Sequence, residues 1–356
     1  MGVLIGVFLH FIGGFASGSF YIPYKKVKAW HWESYWLVGG LFSWLIAPMF
    51  AAWLIVPGFW SIIGAMSKTT IFWTYFMGVL WGFGGLTFGL SMRYLGMSLG
   101  MAIALGYCAA FGTLIPPLYY DLFGNPEGQI TISSLLHTGS GRIILGGVLL
   151  CLIGISICGK AGVMKEKDLG DSKSTGTIVE FNLRKGILVA TISGILSSCF
   201  SFGLAFGKPI SVLTEQSGVN PIFQNLPSLV VILLGGLTTN LICCVILNLR
   251  NKSYGDYTNA KTPLTSNYLF CIVAGITWYL QFFFYGMGSS KMGKYDFSSW
   301  TFHMAFIIIV SNAWGIYFKE WKGSESKTMR IISLGIFMVI LSTIVVGLGN
   351  YVASLR

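Results

Sequence analysis

Residues 331–351 read IISLGIFMVILSTIVVGLGNY, twenty-one positions without a charged side chain. A helix of this length crosses a hydrocarbon core about 30 Å thick, which takes roughly 20 apolar residues. Nine similar stretches precede it: 3–22, 34–56, 71–92, 97–119, 143–159, 186–207, 225–249, 267–288 and 298–318. Together the ten contain no Asp, Glu, Lys or Arg, and only two histidines, His10 and His303. An ionisable group held in lipid costs at least a few kcal/mol and so signals a task.

Composition agrees with this reading. Charged residues are 10% of the chain, against about 25% in soluble domains. Hydrophobic residues reach 54% and mean hydropathy is +0.72. The pattern predicts an all-α polytopic membrane protein of ten transmembrane helices. Residues 1–20 lack the basic start of a signal peptide and are expected to remain as the first span. The net charge of +11 is spread over loops and points to orientation, not to nucleic acid. Alternate loops, starting with 22–33, carry 17 Lys and Arg; the other loops and the tail carry 6. Both termini are therefore expected outside the cell, with loops 22–33, 160–185 and 319–330 in the cytoplasm. All seven cysteines fall within spans and read as small buried hydrophobes, with no disulfide, metal site or thiol chemistry.

The polar stretch 161–185 has linker composition and divides the spans five and five, giving repeats at 1–160 and 186–356. The halves echo each other: Gly13–Ser19 running to Pro23 in span one, Ser193–Ser198 running to Pro209 in span six. An odd number of spans per half inverts the second half, a recurring plan of secondary transporters. Gly78, Gly82, Gly85 and Gly89 share a face of span three and suit close helix packing. Pro48 is expected to kink span two.

With the termini outside, His10 lies roughly 10 Å below the outer end of its span, and His303 roughly 8 Å. Asp296, Trp300 and His303 follow i, i+4, i+7 spacing and share a face. A carboxylate two turns from an imidazole is a plausible proton station, because it raises the affinity of the imidazole for a proton. On span eight, Trp278, Gln281 and Tyr285 share another face, an amide bracketed by two polar-tipped aromatic rings. A sugar offers apolar C–H faces and many hydroxyls, which such a face matches, with Trp81, Trp300 and Trp314 as further walls. The same face would equally suit another neutral polar solute. Phosphate-binding loops, HExxH and G-x-S-x-G elements are missing, so no enzyme activity is expected. No cofactor is expected either, and protons are the coupling ion that the histidines suit.

The chain resembles the L-rhamnose–proton symporter family of the drug/metabolite transporter superfamily over nearly its whole length. The resemblance rests on Tyr21 through Lys28, Met92 through Ser98, Glu180 through Leu183 and Trp278 through Tyr285. Tyr295-Asp296 with Trp300, His303-Met304 and Lys319-Glu320-Trp321 complete it. It implies a 5+5 inverted repeat, an inner-membrane location and uptake of a 6-deoxyhexose with a proton. Family members carry asparagines where this chain has Gly85, Thr87 and Ala205, which bears on which sugar fits. The expected machine is a monomer working by alternating access in the bilayer. L-rhamnose or a related deoxysugar is held by Trp278, Gln281, Tyr285, Trp300 and Trp81, and the proton by Asp296, His303 and His10. An exporter of another metabolite on the same scaffold and a non-transporting sugar sensor are the alternatives.

Overall fold

The computed structural model describes residues 2–123, 131–169, 182–292 and 299–354. Among these, regular structure is helical throughout. Eight segments are long and apolar enough to cross a membrane: α1 (Leu4–Tyr24), α2 (Trp32–Ile55), α3 (Lys68–Gly96), α5 (Gly139–Lys165), α6 (Leu183–Phe206), α7 (Pro221–Asn251), α8 (Leu264–Met292) and α10 (Ser326–Ala353). Two shorter apolar helices, α4 (Leu99–Gly112) and α9 (Phe302–Tyr317), stand where spans four and nine are expected.

Two junctions show how local sequence sets these elements. Helical backbone runs from Lys68 to Phe123 with one break, at Gly96, where φ is +82° and ψ 170°. That region is essentially reserved for glycine, so Gly96 alone separates α3 from α4. In α2 a π-helical turn, Phe42–Ile46, precedes Pro48. The Ala47 amide donates to the carbonyl of Phe42 there. In an α-turn the Pro48 ring would press on the carbonyl of Trp44, four residues back. The wider turn relieves that pressure. The expected linker also begins later, because α5 stays helical to Leu169.

The chain divides into two compact units, each drawn from both halves of the sequence: residues 1–85 with 199–292, and residues 86–198 with 293–356. In the first unit, α1 and α8 run antiparallel with Gly6 against Met292 and Gly288. A Cβ on Gly78 would lie 2.1 Å from the carbonyl of Ile232, and one on Gly235 2.2 Å from that of Tyr75, so α3 and α7 touch backbone to backbone. Gly82 meets Thr239 in the same seam, and the Thr239 hydroxyl donates to the carbonyl of Val79 at 2.8 Å. Gly275 of α8 seats on the carbonyl of Gly39 of α2. Aromatic pairs join α3 to α6, with Trp81 5.3 Å from Phe200 and Trp73 5.7 Å from Phe206.

In the second unit, α5 and α10 hold one antiparallel register from Ile144 to Asp168. Ile144 faces Gly349, Gly147 faces Val346, Gly154 faces Val339 and Cys158 faces Gly335. At the end of that seam Asp168 accepts hydrogen bonds from the Glu325 amide and the Thr328 hydroxyl and caps α10. Lys165, 1% exposed, places its ammonium 4.8 Å from the centre of the Trp321 ring. Lipid gives apolar helices no reason to associate, so close packing and hydrogen bonds must do it.

Gly146 and Gly147 test this directly. A Cβ at Gly147 would lie 2.6 Å from Val346 Cγ2, whereas one at Gly146 meets nothing within 4 Å. Gly147→Leu should destabilise the protein by about 1–3 kcal/mol through overpacking. Gly146→Leu should be neutral or slightly stabilising through helix propensity. Thermal unfolding in detergent distinguishes them, and equal melting points would rule out the seam.

Candidate substrate and proton site

The first unit gathers aromatic rings around Trp278 of α8. Its ring stacks on Phe20 at 4.5 Å and lies 5.1 Å from both Trp36 and Trp44. Trp81 continues the cluster, 6.4 Å from Trp44 and 5.4 Å from Phe282. Phe200 closes it, 4.9 Å from Phe282. Helices α1, α2, α3, α6 and α8 thus meet through one continuous set of rings. Each well-oriented pair adds about 0.5–1.5 kcal/mol beyond simple burial.

The polar residues of the α8 face lie beside this cluster. Gln281 is 5% exposed, and its amide makes no hydrogen bond among the described residues. One turn on is Tyr285, its ring 5.3 Å from the imidazole of His10, which is fully buried. Gly288 follows at i+7 from Gln281, and a Cβ there would sit 2.8 Å from His10 Cε1 and 2.9 Å from Nε2. Gly288 therefore provides the space that the imidazole fills. His10, Tyr285 and Gln281 form a titratable, hydroxyl and amide series on one side of α8.

The other expected site residues belong to the second unit. Trp300 donates its indole N–H to the carbonyl of Cys108 at 3.2 Å, and a Cβ on Gly112 would strike the same ring. His303 is 2% exposed on α9. Asp296, the expected carboxylate partner on that face, lies outside the described residues. Trp314 stacks on Phe318 at 5.8 Å.

Two polar centres escaped the sequence reading. Asn240, fully buried on α7, accepts from the Trp36 indole at 2.9 Å and donates to the carbonyls of Gly82 at 3.2 Å and Gly236 at 2.8 Å. It ties α2, α3 and α7 together beside Trp278. The only sequence signal was an amide in an otherwise apolar run. The second centre joins the start of α2 to the end of α7. Glu33 accepts from Asn251 at 2.9 Å and Ser253 at 2.7 Å. Asp256 accepts from the His31 amide and the Ser34 hydroxyl, both at 2.8 Å, and lies 3.0 Å from His31 Nδ1. Both carboxylates are under 10% exposed. Nothing in the local spacing announces this network, because its partners are more than 200 residues apart.

A helical membrane protein with a titratable and amide-bearing face buried among aromatic rings has the make-up of a solute transporter. The family model for the L-rhamnose-proton symport protein matches residues 1–352. Curated relatives from Yersinia pestis (strain Pestoides F) and Pectobacterium atrosepticum are each named L-rhamnose-proton symporter. Both are 39% identical, over 351 and 355 residues respectively, with 98% of this chain and 98% of the relative covered. The chain belongs to the L-rhamnose-proton symport protein family, a family of transporters and not of enzymes.

Gly288→Ala provides a test of the His10 packing. The added methyl must displace the imidazole, at about 1–3 kcal/mol. Uptake of labelled sugar should fall about tenfold or more while membrane abundance stays at the wild-type level. Unchanged uptake would show that the position of His10 does not matter.

Proposed function

We propose that this chain takes up L-rhamnose, or a closely related 6-deoxyhexose, together with a proton by alternating access across the inner membrane. The observation that carries the proposal is the α8 face. The unengaged amide of Gln281 can bond sugar hydroxyls, the rings of Trp278 and Trp81 suit its C–H faces, and Tyr285 links both to His10. A proton on His10 beside the bound sugar makes each ligand sensitive to the other, which symport requires. His303 and Asp296, with Trp300 a turn above, would serve as the outer station from which the proton arrives.

The architecture we infer is ten helices in a 5+5 inverted repeat, with both termini outside and the linker 161–185 cytoplasmic. The helix partners support it. Exchanging each helix for the one five places along maps the α1–α8 pair onto α6–α3 and the α2–α8 pair onto α7–α3. The α2–α7, α4–α9 and α5–α10 pairs map onto themselves. All of these contacts occur. A two-fold axis in the membrane plane produces this pattern.

A proton moving down a membrane potential supplies roughly 2.3 kcal/mol per 100 mV, about fiftyfold accumulation of a neutral sugar. In proteoliposomes, an imposed inward proton gradient should drive L-rhamnose above its external level, and a protonophore should abolish this. Gln281→Ala should lower sugar affinity about tenfold. His10→Ala and His303→Ala should each abolish accumulation against a gradient while leaving sugar counterflow. Accumulation that ignores the proton gradient would overturn symport; accumulation intact in both histidine variants would overturn this assignment of the proton.

A further inference from the structure

The π-helical turn Phe42–Ile46 of α2 has a feature that packing alone does not explain. Both polar side chains on it, the Ser43 hydroxyl and the Trp44 indole N–H, are fully buried and without a hydrogen-bond partner among the described residues. A serine inside an α-helix commonly donates to the carbonyl one turn back; Ser43 does not. Trp44 is held closely in place: a Cβ on Gly40 would lie 2.3 Å from its ring, and Trp278 lies 5.1 Å away. Each unsatisfied donor costs about 1–3 kcal/mol. π-turns persist at functional sites despite such costs.

The surroundings indicate what the donors serve. Trp44 touches both Trp278 and Trp81, the two indoles assigned to the sugar. On the α3 side of the cluster one glycine has room for a methyl. Gly78 and Gly82 leave no room for a methyl, yet a Cβ on Gly85 would meet only Asn240 Nδ2 and Trp278 Cη2, each at 4.0 Å. Two unpaired donors beside edge-to-face indoles suit a neutral polyol, whose hydroxyl oxygens accept hydrogen bonds.

We propose that the π-turn Phe42–Ile46 belongs to the substrate site, where the Ser43 hydroxyl and the Trp44 indole N–H donate to hydroxyl oxygens of the sugar beside Gly85. This deepens the reading above and rests on it. The Pro48-induced turn sets the direction of both donors, and the aromatic rings around Trp278 part to let the sugar reach them as the transporter changes state.

Ser43→Ala removes the hydroxyl with little loss of volume; Trp44→Phe keeps an aromatic six-membered ring but removes the pyrrole half of the indole with its N–H. Titration calorimetry of purified full-length protein with L-rhamnose should show the dissociation constant raised about tenfold by Trp44→Phe and by Ser43→Ala. The melting temperature of sugar-free Ser43→Ala should hold or rise, because it loses an unpaired buried donor; a purely structural role for the hydroxyl would lower it. Gly85→Ala, whose methyl the structure accommodates, should weaken binding without unfolding the protein. Wild-type protein that binds rhamnose while Ser43→Ala and Trp44→Phe bind it within twofold of wild type overturns the inference and leaves the proposed function standing. Should Trp44→Phe fail to fold, Ser43→Ala alone decides by the same criterion. Wild-type protein that binds no rhamnose overturns both.

Discussion

Contact between helix backbones through glycine is the interaction on which this protein depends. Lipid tails are as apolar as leucine, so burying leucine between two helices gains little. The gain must come from dispersion, which needs atoms close together, and from hydrogen bonds that lipid cannot offer. Glycine supplies the first. The seams of α5 with α10, α3 with α7 and α1 with α8 all set a glycine against backbone or a short side chain. Thr239 and Asn240 supply the second, each donating to a carbonyl of α3. The apolar surface left outward, such as Phe50, Trp53, Leu149 and Ile246, is what a bilayer covers.

The same constraint shapes the site. Every polar group inside a span is costly, so those present without a partner stand out. Most polar side chains in the first unit are spent on structure: Asn240 on three helices, Tyr75 on Thr238 at 2.6 Å, Ser211 on Ser228 at 2.9 Å. Ser43 and Trp44 are not, nor are Tyr24, Thr74 and Tyr279. In the proposed site a sugar would bring the hydrogen bonds that Ser43 and Trp44 lack, and a site that is costly when unoccupied binds its ligand more selectively against analogues that lack a hydroxyl.

Much of the fold was legible because span length and charge exclusion are strong signals. The boundary at Met92–Gly96 could be read from one arginine and one glycine, and Gly96 adopts a conformation that only glycine holds easily. The face carrying Trp278, Gln281 and Tyr285 followed from helical spacing. What could not be read depends on partners distant in sequence. Pro48 announced a disturbance in α2, but not that the turn before it would be π-helical. Gly78, Gly82 and Gly85 look alike in the sequence, yet the first two seat against α7 and the third does not. That His10 packs against Tyr285 and Gly288 of α8 could not be read from its depth in α1. The Glu33 and Asp256 network needed two loops to meet, which no local pattern encodes.

The account as a whole claims that sugar and proton cross together. Adding L-rhamnose to energy-depleted cells or weakly buffered proteoliposomes that carry this protein, with a pH electrode in the external medium, measures this directly. The account predicts prompt alkalinisation outside that tracks labelled rhamnose entry one for one and disappears with a protonophore. Rhamnose entry at the same rate with no change in external pH would contradict it.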